Sequence, residues 1–344
     1  MKRNAMLNQV LVVLALLAVT AHTRYANAAS ADDKIGMVVL GDSVTMGVWA
    51  DSSVGDPGNR FYREALQLQI QANLMALVSG QKVNDLSNAK KYASVIDRFF
   101  GFIGRKPLSG LIGNQDYSIP TLIKERTGRD VELVEATVMA GCYEISDFAL
   151  KKLDKQIQRN GNRIDPKFIF IDFNAMDFVF NLPTEAYQQN VRRTLAALVQ
   201  RFPHATVVAS PLVNMVRVMT NSFDKLAIPG RLGLGRMTCA QSYSRIGFDQ
   251  SLGLSPTTSP DEIAAKLSKL EAMRAILATE LDALERADSE SGFAEFEGRV
   301  IRVESASTPD DEIYRYLAAD CVHPNVEGQK LLAKQIWAAI ESAL

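Results

Sequence analysis

The chain has little cysteine, little histidine and almost no charge imbalance. Its cysteines number three in 344 residues, Cys142, Cys239 and Cys321, with none of the close spacing that metal sites use. An odd count leaves at least one thiol unpaired or paired to another molecule. Lys and Arg total 38 against 39 Asp and Glu, a net charge of −1. That balance gives no support to nucleic-acid binding, which needs a basic patch. After the first residues there is no apolar run that suggests a membrane span, and no internal repeat or low-complexity tract is visible.

The first residues read as a processing signal. Lys2 and Arg3 supply positive charge, Leu11 to Val19 form a short apolar run, and Ala26-Asn27-Ala28 fits a small-x-small cleavage site. A retained N-terminal anchor is the alternative. Cleavage after Ala28 leaves 344 − 28 = 316 residues, with 35 basic against 39 acidic groups once Lys2, Arg3 and Arg24 are removed. That length suits one domain over 29–344 with insertions at about 80–120 and 211–260.

Apolar runs at Ile35 to Leu40, Val131 to Val138, Phe168 to Phe173, Ala205 to Ala209 and Val300 to Val303 predict five strands. Helical spacing separates them at Asn59 to Ser79, Ser118 to Thr127, Glu144 to Gln158, Thr184 to Phe202 and Pro260 to Ala287, and a last helix spans Val326 to Leu344. Alternation of strand and helix predicts an α/β fold with a mostly parallel sheet. Pro211 to Pro260 breaks the rhythm and is too long for a routine connection, so a cap or rim is expected there, with helix around Phe223 to Leu226.

Two short stretches carry chemistry. Val38-Val39-Leu40-Gly41-Asp42-Ser43-Val44 runs a buried strand into a glycine-flanked serine, where loops of parallel sheets commonly hold active groups. From this stretch alone, Ser43 reads equally as a buried structural serine or a nucleophile. A nucleophilic hydroxyl needs a base. Beyond residue 28 only His204 and His323 remain. His204 sits in a turn before a strand and is expected to be structural or exposed. His323 follows Asp320 by three residues, a spacing that lets the carboxylate orient the ring while the other nitrogen faces Ser43. A solvated loop before the last helix is the other explanation. Oxyanion donors are expected from the Ser43 amide, Gly141 and Asn174, all of which follow predicted parallel strands. For the cysteines, spacing alone does not choose a pair. Cys239 with Cys321 is favoured because it would tie the long insertion to the loop of His323.

These residues resemble the SGNH, or GDSL-like, esterase and lipase family. Gly41-Asp42-Ser43-Val44 looks like its nucleophile block, Gly141 its glycine block, and Asp320-Cys321-Val322-His323-Pro324-Asn325 its final block in the form of phospholipase B-like members. The resemblance covers about residue 35 to the C-terminus and is weak over 80–120 and 211–260. Its third block, Gly-x-Asn-Asp, is irregular. One registration sets Asn174 at the asparagine, Asp172 at the glycine and Ala175 at the aspartate. The other sets Asn174 at the glycine, Met176 at the asparagine and Asp177 at the aspartate. The first is preferred, since an amide donates and a thioether does not.

The resemblance implies a flavodoxin-like three-layer α/β/α sandwich with a mainly parallel five-stranded sheet. It also implies acyl transfer by Ser43, His323 and Asp320 with Gly141 and Asn174 as oxyanion donors, without metal or organic cofactor. Asp42 is expected to be structural. The expected partner is an acyl ester, a lipid first, because Phe99 to Ile103 and the Met- and Leu-rich 211–235 stretch would suit an apolar groove or, equally, a core. A polysaccharide O-acetyl esterase, a thioesterase or acyltransferase, and a non-catalytic exported binding protein are the rivals. Export to the periplasm or medium is expected, with peripheral membrane contact as an option.

Overall fold

The computed structural model describes residues 34–45, 111–113, 115–138, 142–161, 164–173, 175–225, 238–246, 248–287, 292–304, 308–318 and 320–344. The expected signal segment, the helix at 59–79, the Phe99 to Ile103 cluster, Gly141 and Asn174 lie outside the described residues.

Five strands form a parallel sheet: β1 (Ile35–Gly41), β2 (Val131–Glu135), β3 (Pro166–Asp172), β4 (Thr206–Ala209) and β5 (Arg299–Arg302), in the order β2-β1-β3-β4-β5. Helices α1 (Ile119–Thr127), α2 (Ser146–Arg159), α3 (Met176–Val179), α4 (Thr184–Arg201), α5 (Met215–Thr220), α6 (Cys239–Ile246), α7 (Phe248–Leu252), α8 (Pro260–Arg286) and α9 (Val326–Ile340) surround it. Alternate strand residues point to opposite faces. Val38, Leu40, Ile169, Ile171 and Val207 pack with Leu153 of α2, Leu195 of α4 and Leu277 of α8. Met37, Val39, Phe168, Phe170 and Val208 pack with Ile119 and Ile123 of α1 and Ile336 and Ile340 of α9. The result is a three-layer α/β/α arrangement. Burial on both faces is why β1, β3 and β4 read as near-continuous apolar runs.

Local signals fix the helix ends. Ser259 and Glu262 form a reciprocal capping box at the start of α8. Gly128 closes α1 at φ +71°, a left-handed position that suits glycine. Of the helix expected around Phe223 to Leu226, Leu226 lies outside the described residues, and the described residues 221–225 form turns and a bend. The Phe223 and Lys225 carbonyls accept instead from the amides of Ala240 and Cys239 at 3.2 and 2.8 Å, which docks this stretch on the start of α6. Met215, Val216 and Met219 of α5 are buried in the core, so the described part of the suspected groove is interior packing. Among the described residues, no helix is long and apolar enough to cross a membrane.

The sheet order places a topological switch at β1 and β3, since the chain moves from β1 to β2 on one side and to β3 on the other. Ligands of open α/β sheets bind at the strand C-termini near such a point. Ser43 follows β1 there.

Candidate active site

The nucleophile turn is built from β1 outward. A Cβ on Gly41 would lie 2.2 Å from Thr45 Oγ1, so only glycine lets the chain fold back this tightly. Asp42 then turns the backbone: its Oδ1 accepts from the Val44 and Thr45 amides at 2.7 and 3.4 Å, and its own amide donates to Thr45 Oγ1 at 3.2 Å. Thr45 Oγ1 in turn donates to Asp172 Oδ2 at 2.6 Å, tying the turn to the end of β3. Asp42 therefore has the structural role expected of it. Burial and the neighbouring Asp172 charge push its carboxyl up to about 7.

The opposing loop lies between a 3-10 segment, Asp310–Tyr316, and α9. Leu317 and Pro324 form an antiparallel bridge, and the Ala318 amide donates to the His323 carbonyl at 2.7 Å. Asn325 caps α9 through the Gly328 amide at 3.0 Å and donates back to the Arg315 and Leu317 carbonyls at 2.7 and 3.1 Å. Inside the loop, Asp320 Oδ1 accepts from the Val322 and His323 amides at 3.0 and 3.1 Å. Its Oδ2 lies 2.5 Å from His323 Nδ1.

The two ends of the chain meet here. His323 Nε2 lies 2.7 Å from Ser43 Oγ. Nδ1 facing a carboxylate carries the proton, which leaves Nε2 as the acceptor for the serine hydroxyl. Burial opposes the imidazolium, but the charge and hydrogen bond of Asp320, with Asp42 adding to them, raise the His323 pKa above its ordinary value. Ser43, Asp320 and His323 are thus brought together as a hydrogen-bonded chain. Gly141 and Asn174 lie outside the described residues, although each follows a strand that flanks β1 in the sheet. His204 is exposed and pairs with Glu297 at 3.1 Å, away from this chain of residues.

Several supporting residues escape the motifs. Asp177 is buried and its carboxylate accepts from the Tyr143 and Glu144 amides at 2.9 and 3.0 Å. It holds the segment that follows Gly141. Burial pushes its pKa up to about 6 while these donors oppose the shift. The second registration of the irregular block, which puts Asp177 at the family aspartate, is the one sequence signal for it. Cys239 and Cys321 form the expected disulfide, and Cys142 is a buried free thiol. Among the described residues, no cluster of His, Cys, Asp and Glu has the makings of a metal site.

The profile of the family described as GDSL-like lipase/acylhydrolase matches residues 37–336. A structure of the psychrotrophic esterase EstA from Pseudoalteromonas sp., inhibited by monoethylphosphonate, is 11% identical over 90% of this chain and 97% of its own, with a TM-score of 0.37. The crystal structure of TesA is 13% identical over 90% of this chain and 99% of its own, with a TM-score of 0.32. No curated protein matches the sequence.

Proposed function

The chain belongs to the GDSL-like lipase/acylhydrolase family and is a carboxylic ester hydrolase, and we propose that it cleaves lipid acyl esters through an acyl-enzyme formed on Ser43. The observation that carries the mechanism is the contact between His323 Nε2 and Ser43 Oγ at 2.7 Å, with Asp320 on the other ring nitrogen. His323 takes the hydroxyl proton as Ser43 Oγ attacks the ester carbonyl. The tetrahedral intermediate collapses, the alcohol leaves with the proton from His323, and the acyl group stays on Ser43. Water, deprotonated by His323, then attacks the acyl carbonyl, and the acid departs as Ser43 regains its proton. Asp320 keeps the proton on Nδ1 and stabilises the transient imidazolium. The Ser43 amide, the Gly141 amide and the Asn174 side chain serve as oxyanion donors in this scheme, on the strength of their positions after β1, β2 and β3.

A lipid is the leading substrate because the family description includes lipases and the sequence sets Phe99, Phe100, Phe102 and Ile103 together in an insertion. Labelling by a fluorophosphonate should be lost in Ser43→Ala and strongly reduced in His323→Ala. Unchanged labelling and ester turnover in both variants would remove the mechanism. A series of p-nitrophenyl esters from acetyl to palmitoyl tests the substrate. Turnover extending to long chains is expected, and a profile confined to acetyl would replace the lipid with a small-acyl ester.

Export is proposed from the N-terminal pattern and is supported by the Cys239–Cys321 disulfide, a bond that persists in oxidising compartments. Sequencing the N-terminus of protein from the producing cells should read from Ala29, and an intact Met1 would contradict cleavage.

A further inference from the structure

We infer that Tyr243 and Ser242 of α6, together with the Cys239–Cys321 disulfide, are positioning residues that hold the Asp320–His323 loop in register with Ser43. The inference rests on the proposed roles of Ser43, His323 and Asp320. It starts from a helix that belongs to the insertion, not to the sheet core.

Three links join α6 to two consecutive residues of the loop. The Tyr243 hydroxyl donates to the Cys321 carbonyl at 2.6 Å. The Ser242 hydroxyl donates to the Asp320 carbonyl at 3.0 Å. The disulfide joins Cys239 to Cys321 with their Cα atoms 5.5 Å apart. Thus Cys321, the first of the two residues between Asp320 and His323, is fixed through both its side chain and its carbonyl. It also has φ +66°, a left-handed conformation that a residue with a Cβ adopts only when its surroundings impose it. That conformation turns the chain between the carboxylate and the ring, so the links act on the angle at which Asp320 meets His323.

Proton counting gives the direction of the contact with Cys321. A carbonyl cannot donate, so Tyr243 is the donor there. Ser222 Oγ lies 2.8 Å from the Tyr243 oxygen, a contact in which either hydroxyl can be the donor. The Ser222 proton also has the Val218 carbonyl within reach, at 2.6 Å. Tyr243 is fully buried, and burial keeps its phenol protonated well above the ordinary range. Its donation to Cys321 is therefore constant across the working pH range. Phe223 meets the ring edge-on, with centroids 6.1 Å apart, which holds it in the orientation that the hydrogen bond needs.

The test compares wild type, Tyr243→Phe, Ser242→Ala, the double variant Cys239→Ala/Cys321→Ala and His323→Ala. p-Nitrophenyl butyrate serves as substrate, with circular dichroism and thermal midpoints to confirm folding. Tyr243→Phe keeps the ring and removes only the donor. Its kcat should fall about tenfold with KM unchanged, below the roughly 100-fold that a misplacement of about 1 Å can cost. The acidic limb of kcat/KM should also move to lower pH, because a displaced Asp320 no longer raises the His323 pKa as strongly. Asp42, the other charge acting on His323, is untouched by the change. A lowered melting point with an unmoved limb would show a merely structural role and overturn the inference, as would a profile that superimposes on wild type. Each of those outcomes is read against an inactive His323→Ala. An active His323→Ala would instead remove the underlying mechanism. The double cysteine variant, if folded, should move the limb in the same direction as Tyr243→Phe.

Discussion

Gln329 of α9 donates its side-chain amide to the carbonyl of Val44 at 2.9 Å. The same helix is capped by Asn325, two residues after His323, so one element braces both the turn of Ser43 and the loop of its base. Gln329 is fully buried, and leucine nearly matches its volume without a donor. Gln329→Leu should therefore leave the Val44 carbonyl without this partner but also remove a buried amide oxygen that has no partner of its own, so the net cost should be about 1 kcal/mol, the low end for a buried polar group that loses its bond. Urea unfolding measures that cost. Steady-state kinetics should show kcat reduced more than KM is raised, because the turn carries the nucleophile.

Asp320 has two tasks, since one oxygen holds backbone amides and the other faces the ring of His323. Asp320→Asn retains an acceptor for only one of them and removes the charge. A loss of roughly 10²–10⁴ in kcat is expected, in line with triads whose carboxylate becomes an amide. The direction of the pH effect follows from the raised His323 pKa. Neutral His323 is the active base, so wild-type kcat/KM rises with pH through a limb displaced upward from the ordinary histidine value. Without the Asp320 charge that limb moves to lower pH. A limb that stays in place would show that Asp320 is not the source of the shift.

Much of this was legible in the residues themselves, for a physical reason. β1, β3 and β4 are covered on both faces, so their sequences are apolar almost throughout, and Gly41 and Ser43 stand out where the run ends. The Asp320 and His323 pair was legible because a side chain three residues back can meet a ring in a tight loop. Even the irregular block retained a trace in Asp177. Tyr243 and Ser242 left no comparable signal. Each acts on a carbonyl 78 residues away, and a backbone acceptor has no residue identity to read. The described part of the helix expected around Phe223 to Leu226 departs from helix for a related reason: the Phe223 and Lys225 carbonyls are taken by α6, a tertiary contact that local periodicity does not encode. The sheet edge shows the same limit, since β5 begins and ends in exposed arginines and only Val300 and Ile301 mark it as a strand.

Glu280 of α8 is completely buried and is met by Arg192 Nε and Gln188 Nε2 of α4, each at 2.8 Å. This contact fastens α8, the longest helix among the described residues, to the layer that covers β3. Arg192→Met keeps the aliphatic stem and removes the charge, which leaves a buried carboxylate with only a neutral donor of the pair. The side chain of Arg192 is half exposed, so the loss should be about 2–4 kcal/mol, toward the lower side of values for broken buried pairs. Adding Glu280→Gln should restore part of it. Chemical denaturation of both variants reads this directly, and an additive double variant would mean that the pair is not coupled.

The buried carboxyls near the site predict an unusual dependence of stability on pH. Burial pushes Asp42 up from its ordinary 3.8 to about 7, and Asp177 from 3.8 to about 6. In the unfolded chain both release their protons near pH 4, whereas in the fold they retain them to higher pH. Between these limits the native state binds more protons than the unfolded state, so stability falls as pH rises. The decline begins near the unfolded value, ends for Asp177 near pH 6 and for Asp42 near pH 7, and is absent below both unfolded values. Asp42→Asn keeps an oxygen to accept from the Val44 amide but does not titrate. It should flatten the part of the curve that extends toward pH 7, while Asp177→Asn flattens the part that ends near pH 6. Urea unfolding at intervals from pH 4 to 8 separates the two. If the wild-type curve instead rose through this window and Asp42→Asn left it unchanged, the carboxyl of Asp42 would be ionised throughout, and the nucleophile turn would carry a permanent buried charge.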